Sequence, residues 1–187
     1  MEKAAERTKK TSKQTERRRI MGYTHYWTMP KHVSREQFAA LSRAAEKIVK
    51  EAEMEGIALA GPVGTGRPEI TDTEIRFNGA AAKEEDFETF VLRPSQGADF
   101  CKTADRPYDT AVTACLAAAL ALIPKFRIGS DGTYADWLPG LALYEKACGD
   151  KDRPLDLIFL KKQIADCLGG APDYAAWDAE IRKAVQS

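Results

Sequence analysis

The segment from Ala111 to Ile123 is apolar on almost every side, and it constrains the fold more than any other part of the 187-residue chain. Pro107 suits the first turn of a helix and Pro124 ends one, so the sequence predicts a helix over 107–123. A helix without a polar face must be surrounded by other elements. The apolar run is 13 residues long, whereas a membrane span needs about 20. We therefore expect a buried central helix and no membrane association.

Each of the other segments shows either the two-residue alternation of a strand or the 3.6-residue period of a helix. Alternating or β-branched runs predict strands at 22–29, 57–60, 74–78, 87–92 and 126–128. Capping signals and spacings of three and four predict helices at 34–56, 136–148, 155–168 and 174–185. Segments 61–68 and 95–106 look irregular, and 129–132 resembles a turn.

Strands and helices do not alternate regularly along the chain, which disfavours a doubly wound parallel sheet. The order predicts an α+β fold: a mainly antiparallel sheet of about five strands, with a buried central helix and C-terminal helices packed on it. We expect one domain over 21–187, in which 150–187 forms a C-terminal helical pair.

The first twenty residues differ in composition from the rest. They hold eight basic and three acidic side chains, and residues 1–19 lack Leu, Ile, Val, Phe, Tyr and Trp. Such a segment cannot bury enough apolar surface to order itself, so residues 1–20 are expected to be a disordered basic extension, with natural translation starting at Met21. The alternative is a basic arm that binds nucleic acid. The other 167 residues carry 28 − 8 = 20 basic and 28 − 3 = 25 acidic groups, a balance that argues against general nucleic-acid binding.

The cysteines and histidines limit the kinds of site that the chain can hold. None of the four cysteines, at 101, 115, 148 and 167, belongs to a Cys-x-x-Cys pair, which indicates free thiols in a reducing, cytoplasmic compartment. With only two histidines, neither a metal site nor a cofactor is expected.

The densest polar cluster runs from Phe100 to Asp109, at the entry to the central helix. The free N–H groups of a helix start, together with Lys102 and Arg106, could hold a phosphate or carboxylate. Further members of the predicted ligand set at this entry are Thr103, Tyr108 and Asp109. The alternative is purely structural: Thr103 or Asp105 caps the helix and Asp109 favours its dipole.

The first strand offers aromatic rings around His25. Its alternation places Tyr23, His25, Trp27 and Met29 on one face and Thr24, Tyr26 and Thr28 on the other. Tyr23, Tyr26 or Trp27 could stack on a base or sugar while His25 hydrogen-bonds to it. The alternative is a strand that buries these rings in the core. Asp131 would join the site if its carboxylate pointed into the same cleft.

Catalysis by the same residues is a second interpretation. Cys101 lies next to Lys102, which could stabilise a thiolate nucleophile, and His25 or Asp109 could act as a general base. A lone cysteine beside an aromatic residue is more often a packing residue.

A set of motifs resembles a family of small uncharacterised proteins of bacteriophages and prophages. It starts with Met-Gly-Tyr-Thr-His-Tyr-Trp at 21–27 and extends through short blocks to about residue 148. The blocks are Asn78-Gly79, Phe87–Phe90, Phe100–Thr103, Pro107–Asp109, Ser130–Gly132, Trp137, Gly140 and Tyr144. Leu138-Pro139 departs from the pattern. The resemblance implies a phage-type origin but no established activity, and its blocks are polar and aromatic, which favours a shared pocket.

The leading hypothesis from the sequence is a phage-type accessory protein that binds a small anionic, nucleotide-like ligand and so captures a host defence signal. Binding without turnover is favoured over a small hydrolase or transferase, and inhibition of a host protein through the surface is a third interpretation. A homo-oligomer is also possible. The hypothesis predicts that His25, Lys102, Thr103 and Asp109 face one open cleft lined by a ring of the first strand.

Overall fold

The computed structural model describes residues 23–149 and 154–169. Within these ranges the chain forms seven strands, four α-helices and one 3-10 turn. The elements are β1 (Thr24–Thr28), α1 (Arg35–Met54), β2 (Leu59–Ala60), β3 (Glu69–Ile70), β4 (Ile75–Gly79), the 3-10 turn (Ala81–Lys83), β5 (Phe90–Leu92), β6 (Ala98–Lys102), α2 (Asp109–Leu122), β7 (Arg127–Ser130), α3 (Tyr134–Cys148) and α4 (Pro154–Leu168). The predicted extension at 1–20 and the predicted helix at 174–185 lie outside the described residues.

The strands form two antiparallel sheets. The first has the order β6-β1-β7, with β1 in the centre, and in the second β4 pairs with β2, β3 and β5. The predicted α+β class is therefore confirmed, but about five strands in one sheet become seven in two. The two additional strands are β3, which has only two residues, and β6.

The segment 95–106 was expected to be irregular, and this expectation is wrong, because it contains β6. All five residues of β6 are in register with β1, from Thr24 opposite Lys102 to Thr28 opposite Ala98. Cys101 is the one buried side chain of β6, so the strand carries almost no hydrophobic pattern. Backbone hydrogen bonds to β1 create this strand, and such bonds leave no trace in side-chain composition. Similarly, β7 extends to Ser130, beyond the predicted end at 128.

The central helix is α2, and the prediction that it is buried is confirmed. Every residue from Ala111 to Leu120 is buried, and α2 packs against α1, α3 and α4. The helix begins at Asp109, not at Pro107, because Pro107 and Tyr108 form a turn before it. No side chain caps the start, so the capping role suggested for Thr103 or Asp105 is wrong.

Two capping boxes set the starts of α1 and α3. Ser34 and Gln37 form the box predicted for α1. In α3, Thr133 and Asp136 form a second box, and the helix starts at Tyr134, two residues before the predicted position. Pro139 consequently lies inside the helix. No helix in the described parts of the chain is long and apolar enough to cross a membrane.

Candidate functional site

The central strand β1 separates a buried face from one that is open at Tyr26 and Thr28 but buried at Thr24. Tyr23, His25, Trp27 and Met29 are all buried on the inner side, which faces the helices. Tyr26 and Thr28 point to the other side and are exposed. Each of the two faces carries its own group of candidate residues.

On the inner side, His25 is hydrogen-bonded through both ring nitrogens. Its Nε2 lies 2.7 Å from Asp109 Oδ1, and its Nδ1 lies 3.0 Å from Ser130 Oγ. Ser130 Oγ also accepts the backbone N–H of Gly132 at 2.9 Å. A neutral imidazole satisfies every partner: Ser130 O–H donates to Nδ1, and the Nε2–H donates to the Asp109 carboxylate. This tautomer is assigned from the hydrogen-bond network.

Thr103 completes a group that we call the buried polar chain: Ser130, His25, Asp109 and Thr103. The Thr103 hydroxyl donates to Asp109 Oδ1 and lies 3.3 Å from the carbonyl oxygen of Tyr23. His25 and Thr103 have no exposed surface. Asp109 stands at the first position of α2, where a carboxylate interacts favourably with the helix dipole. The positive end of the helix is therefore occupied by the protein's own carboxylate.

The buried polar chain has the composition of a serine nucleophile, a histidine base and an aspartate that orients the base. Ser130 is its outermost member and is only half-buried. Its oxygen is already engaged by Gly132 and His25, so the observed arrangement joins β1, α2 and β7 as a structural link. Within residues 23–149 and 154–169, no three His, Cys, Asp or Glu side chains are grouped so that they could hold a metal ion.

Two of the three aromatic rings proposed for stacking are part of the core. The Tyr23 ring packs edge-on against His25, with centroids 5.0 Å apart, and covers Gly132 so closely that a Cβ there would lie 1.8 Å from the tyrosine oxygen. Trp27 packs edge-on against Phe90. Neither ring can stack on a ligand from solvent, so for these two the alternative of a core strand holds.

The open side of the first sheet forms the second group, which we call the outer face. It comprises Tyr26, Thr28, Ala98, Phe100, Arg127 and Gly129, with Lys102 and Asp131 at one end. Tyr26 lies opposite Phe100 on one neighbouring strand and opposite Gly129 on the other. The two rings are 45% and 53% exposed, with centroids 6.4 Å apart. A shallow groove of about 460 Å³ is lined by the residues from Tyr26 to Thr28, from Ala98 to Phe100 and from Arg127 to Gly129, so it includes Asp99 and does not reach Lys102 or Asp131.

His25 and Lys102 lie on opposite faces of this sheet. Lys102 is opposite Thr24, and Cys101 is opposite His25, so the alternation of β6 turns the Lys102 side chain to the outer face. The expectation of one open cleft shared by His25, Lys102, Thr103 and Asp109 is therefore wrong. The register of β6 decides the faces of these residues, and the sequence alone does not give it.

The charges on the outer face are unequally satisfied. Asp131 accepts the backbone N–H of Thr24 at 3.0 Å, and the Tyr26 hydroxyl lies 3.4 Å from its other oxygen. Lys102 and Arg127, in contrast, form no side-chain ion pair or hydrogen bond with any residue that the structure describes. Among the described residues, the two cations of the outer face thus have no side-chain partner, whereas its aspartate is held by β1.

The remaining predicted site residues have structural partners. Arg106 Nη1 donates to the carbonyl of Glu84 at 2.9 Å, and the hydroxyl of the buried Tyr108 donates to the carbonyl of Glu88 at 2.7 Å. Burial raises the pKa of the Cys101 thiol far above its ordinary value of 9.0, and nearby carboxylates raise it further. A thiol kept protonated in this way is a poor nucleophile, contrary to the role suggested for it.

Phe100, Arg127 and Ser130 are the residues that sequence reasoning missed as site members. Phe100 would have been found if 98–102 had been identified as a strand, since alternation then places it with Lys102 and away from Cys101. Arg127 and Ser130 flank the short segment Ile128-Gly129, and only pairing with β1 separates their faces.

Comparison with known proteins adds no relative. A scan against protein-family models, a search of curated proteins and a search of solved structures each found no match.

Proposed function

We propose that this protein binds a small anionic, nucleotide-like ligand on the outer face of the β6-β1-β7 sheet. One observation carries the proposal: two exposed aromatic rings lie side by side on the outer face, which also carries two cations that have no side-chain partner among the described residues. Stacking of a base on an aromatic side chain contributes about 1–3 kcal/mol. The proposed ligand class is the one predicted from the sequence, but the proposed binding residues are Tyr26, Phe100, Lys102 and Arg127. The residues of the buried polar chain hold the sheet in place and do not contact the ligand.

The contributions of rings and cations should differ. Lys102 is half-buried, and an ion pair at such a partly solvated side chain is worth about 0.2–1 kcal/mol, or less than about six-fold in affinity. Removing a stacking ring should cost about 1–3 kcal/mol, or about five-fold to 150-fold in affinity. The aromatic pair is therefore the determinant of affinity, and the cations select an anion over a neutral ligand of the same shape.

The test is titration of purified protein with adenosine 5′-monophosphate, ATP and adenosine, followed by calorimetry and by NMR chemical-shift mapping. We expect shifts confined to β1, β6 and β7, and weaker binding of adenosine than of its phosphates. Tyr26→Ala and Phe100→Ala should each weaken binding about ten-fold. Phe87→Ala is the matched control, because Phe87 is similarly exposed (44%) but lies outside the sheet. Shifts elsewhere, or equal losses in the control, would contradict the proposal.

In a phage setting, such binding would remove a host nucleotide signal from solution. Mass spectrometry of small molecules released from protein purified from its host cell would identify the ligand. Recovery of the nucleotide in unchanged form after long incubation with the protein would support capture without turnover.

A second candidate function is a hydrolase or transferase with Ser130 as nucleophile, His25 as base and Asp109 orienting it. The continuous Ser130–His25–Asp109 hydrogen bonds favour it. The test is labelling with a fluorophosphonate, with the modified residue located by mass spectrometry. Label on Ser130 that is lost in His25→Asn would support an enzyme. If Ser130 stayed unlabelled, the buried polar chain would have a structural role only.

A further inference from the structure

We infer that the outer face takes a single-stranded oligonucleotide rather than a mononucleotide. The inference rests on the proposed function and specifies its ligand: two neighbouring bases stack on Tyr26 and Phe100, and the phosphates on either side of them contact Lys102 and Arg127.

The sheet register sets the distance between the two cations. Lys102 lies opposite Thr24, and Arg127 lies opposite Thr28 on the other flank of β1. Four residues along a strand correspond to about 13 Å, and two strand spacings to about 10 Å, so the Cα atoms of Lys102 and Arg127 are about 16 Å apart. Tyr26 lies at the middle of this diagonal, and Phe100 lies beside it on β6, the strand that carries Lys102.

A mononucleotide cannot use this arrangement fully, because it has one base and one phosphate group. The outer face offers two rings with centroids 6.4 Å apart, with Lys102 two residues from Phe100 on β6 and Arg127 on the other flank of β1. A chain of linked nucleotides presents bases and phosphates in the matching order. Exposed aromatic residues on a sheet bind successive bases of single strands in this manner.

The shape of the outer face also favours a linear ligand. Sites for small molecules are concave and enclose most of the ligand surface. The groove here is shallow, and its two aromatic rings remain about half exposed. A strand lying across such a surface gains affinity from several stacked bases, none of which has to be enclosed.

The outer face should bind a single strand more tightly than a duplex, because of both base access and charge. Double-stranded nucleic acid hides its bases from the two rings and depends on many phosphate contacts. The outer face offers only two cations without partners among the described residues, and residues 21–187 are net acidic. Binding through bases with about two phosphate contacts should therefore have a shallow salt dependence, with a log–log slope near −1.4.

The experiment measures binding of the full chain to fluorescein-labelled oligouridylate and oligothymidylate of about eight nucleotides, by fluorescence anisotropy at several salt concentrations. Uridine 5′-monophosphate and a duplex of the same length serve as competitors. We expect the oligonucleotide to bind at least ten-fold more tightly than either competitor. The affinities of the oligouridylate and the oligothymidylate show whether the outer face prefers RNA or DNA.

Four variants assign the binding to the outer face. Tyr26→Ala and Phe100→Ala should each weaken oligonucleotide binding about ten-fold, and Lys102→Gln should reduce the salt slope by about 0.7. Phe87→Ala should leave affinity and slope unchanged. Binding that survives the Tyr26→Ala/Phe100→Ala double variant, with a slope steeper than about −3, would assign it to the basic residues of 1–20 and overturn the inference.

The remaining outcomes separate this inference from the proposed function. Mononucleotide binding as tight as oligonucleotide binding would overturn the inference and leave the proposed function standing, whereas binding of neither would end both. Tight duplex binding would also overturn the inference. Sedimentation experiments could also show self-association that Phe100→Ala abolishes. That result would identify the outer face as an interface between two copies of the chain and would overturn the inference as well.

Discussion

At the scale of single residues, the His25 side chain connects β1 with the start of α2 and the end of β7. Its two hydrogen-bond partners, Asp109 and Ser130, lie 84 and 105 positions away in sequence. The imidazole also contacts the rings of Tyr23 and Trp137 edge-on. A buried carboxylate requires such partners, because an unpaired one is costly. His25 thus supports the sheet whose other side forms the outer face.

Replacing His25 with leucine should lower the free energy of unfolding by roughly 2–4 kcal/mol, because Asp109 would stay buried with one hydrogen bond fewer. The measurement is urea unfolding followed by circular dichroism. His32→Ala is the matched control, since His32 is exposed and should change stability by less than about 0.5 kcal/mol. Equal stability of His25→Leu and the unmodified protein would show that the buried polar chain contributes nothing net.

At the scale of elements, α2 organises the fold, since α1, α3 and α4 all pack on it. It packs tightly against α3 at Gly140, where a Cβ would lie 2.0 Å from Thr113 Oγ1 and 3.0 Å from the backbone nitrogen of Ala114. The absence of a side chain at this position lets the two helices approach. Pro139, one residue earlier, removes a backbone donor from α3.

Leu116→Asp should abolish cooperative folding, because it places an unpaired charge in the centre of α2, where Leu116 is fully buried. Leu122→Asp on the same helix is the control: Leu122 is 36% exposed, and the variant should fold with a loss of about 1 kcal/mol or less. Thermal unfolding of both proteins makes the comparison. A cooperative transition in Leu116→Asp would contradict the central position of α2.

Gly140→Ala should destabilise the protein by about 1–3 kcal/mol, although alanine has the higher helix propensity, because the added methyl group forces α2 and α3 apart. Gly129→Ala is a suitable comparison, since the nearest atom to its added Cβ is 3.7 Å away, an ordinary contact. Urea midpoints of the two variants test this. If Gly140→Ala were the more stable variant, the helices would have to adjust at little cost.

At the scale of the whole molecule, burial keeps several weak acids protonated. Burial is the main cause that raises the pKa of the Cys101 and Cys115 thiols above 9.0 and that of the Tyr108 phenol above 10.0. In the unfolded chain these groups lose their protons near their ordinary pKa values of 9.0 for the thiols and 10.0 for the phenol. The unfolded state therefore binds fewer protons above pH 9, and the stability that these groups contribute below that pH is lost as the pH rises.

The free energy of unfolding should consequently fall from about pH 9 upward, by as much as about 1.4 kcal/mol per pH unit for each thiol once it is ionised in the unfolded state. The double variant Cys101→Ala/Cys115→Ala should show a shallower decline, whatever its stability at neutral pH. Urea unfolding at a series of alkaline pH values measures both slopes. Parallel pH profiles for the two proteins would contradict this account.

The amino-acid sequence by itself determined the features that depend on local periodicity. A run without a polar face made α2 the buried helix, the Ser34–Gln37 pair started α1, and alternation separated the two faces of β1. Each of these is a property of a few neighbouring side chains, so it can be read from composition and spacing.

Only the tertiary structure decided the strand β6, the meeting of His25 with Asp109 and Ser130, and the face on which Lys102 lies. The physical reason is that strand pairing is made by backbone groups common to all residues, so β6 carries no pattern of its own. A register change of one residue would exchange the faces of Cys101 and Lys102. That single long-range choice separates the buried polar chain from the outer face.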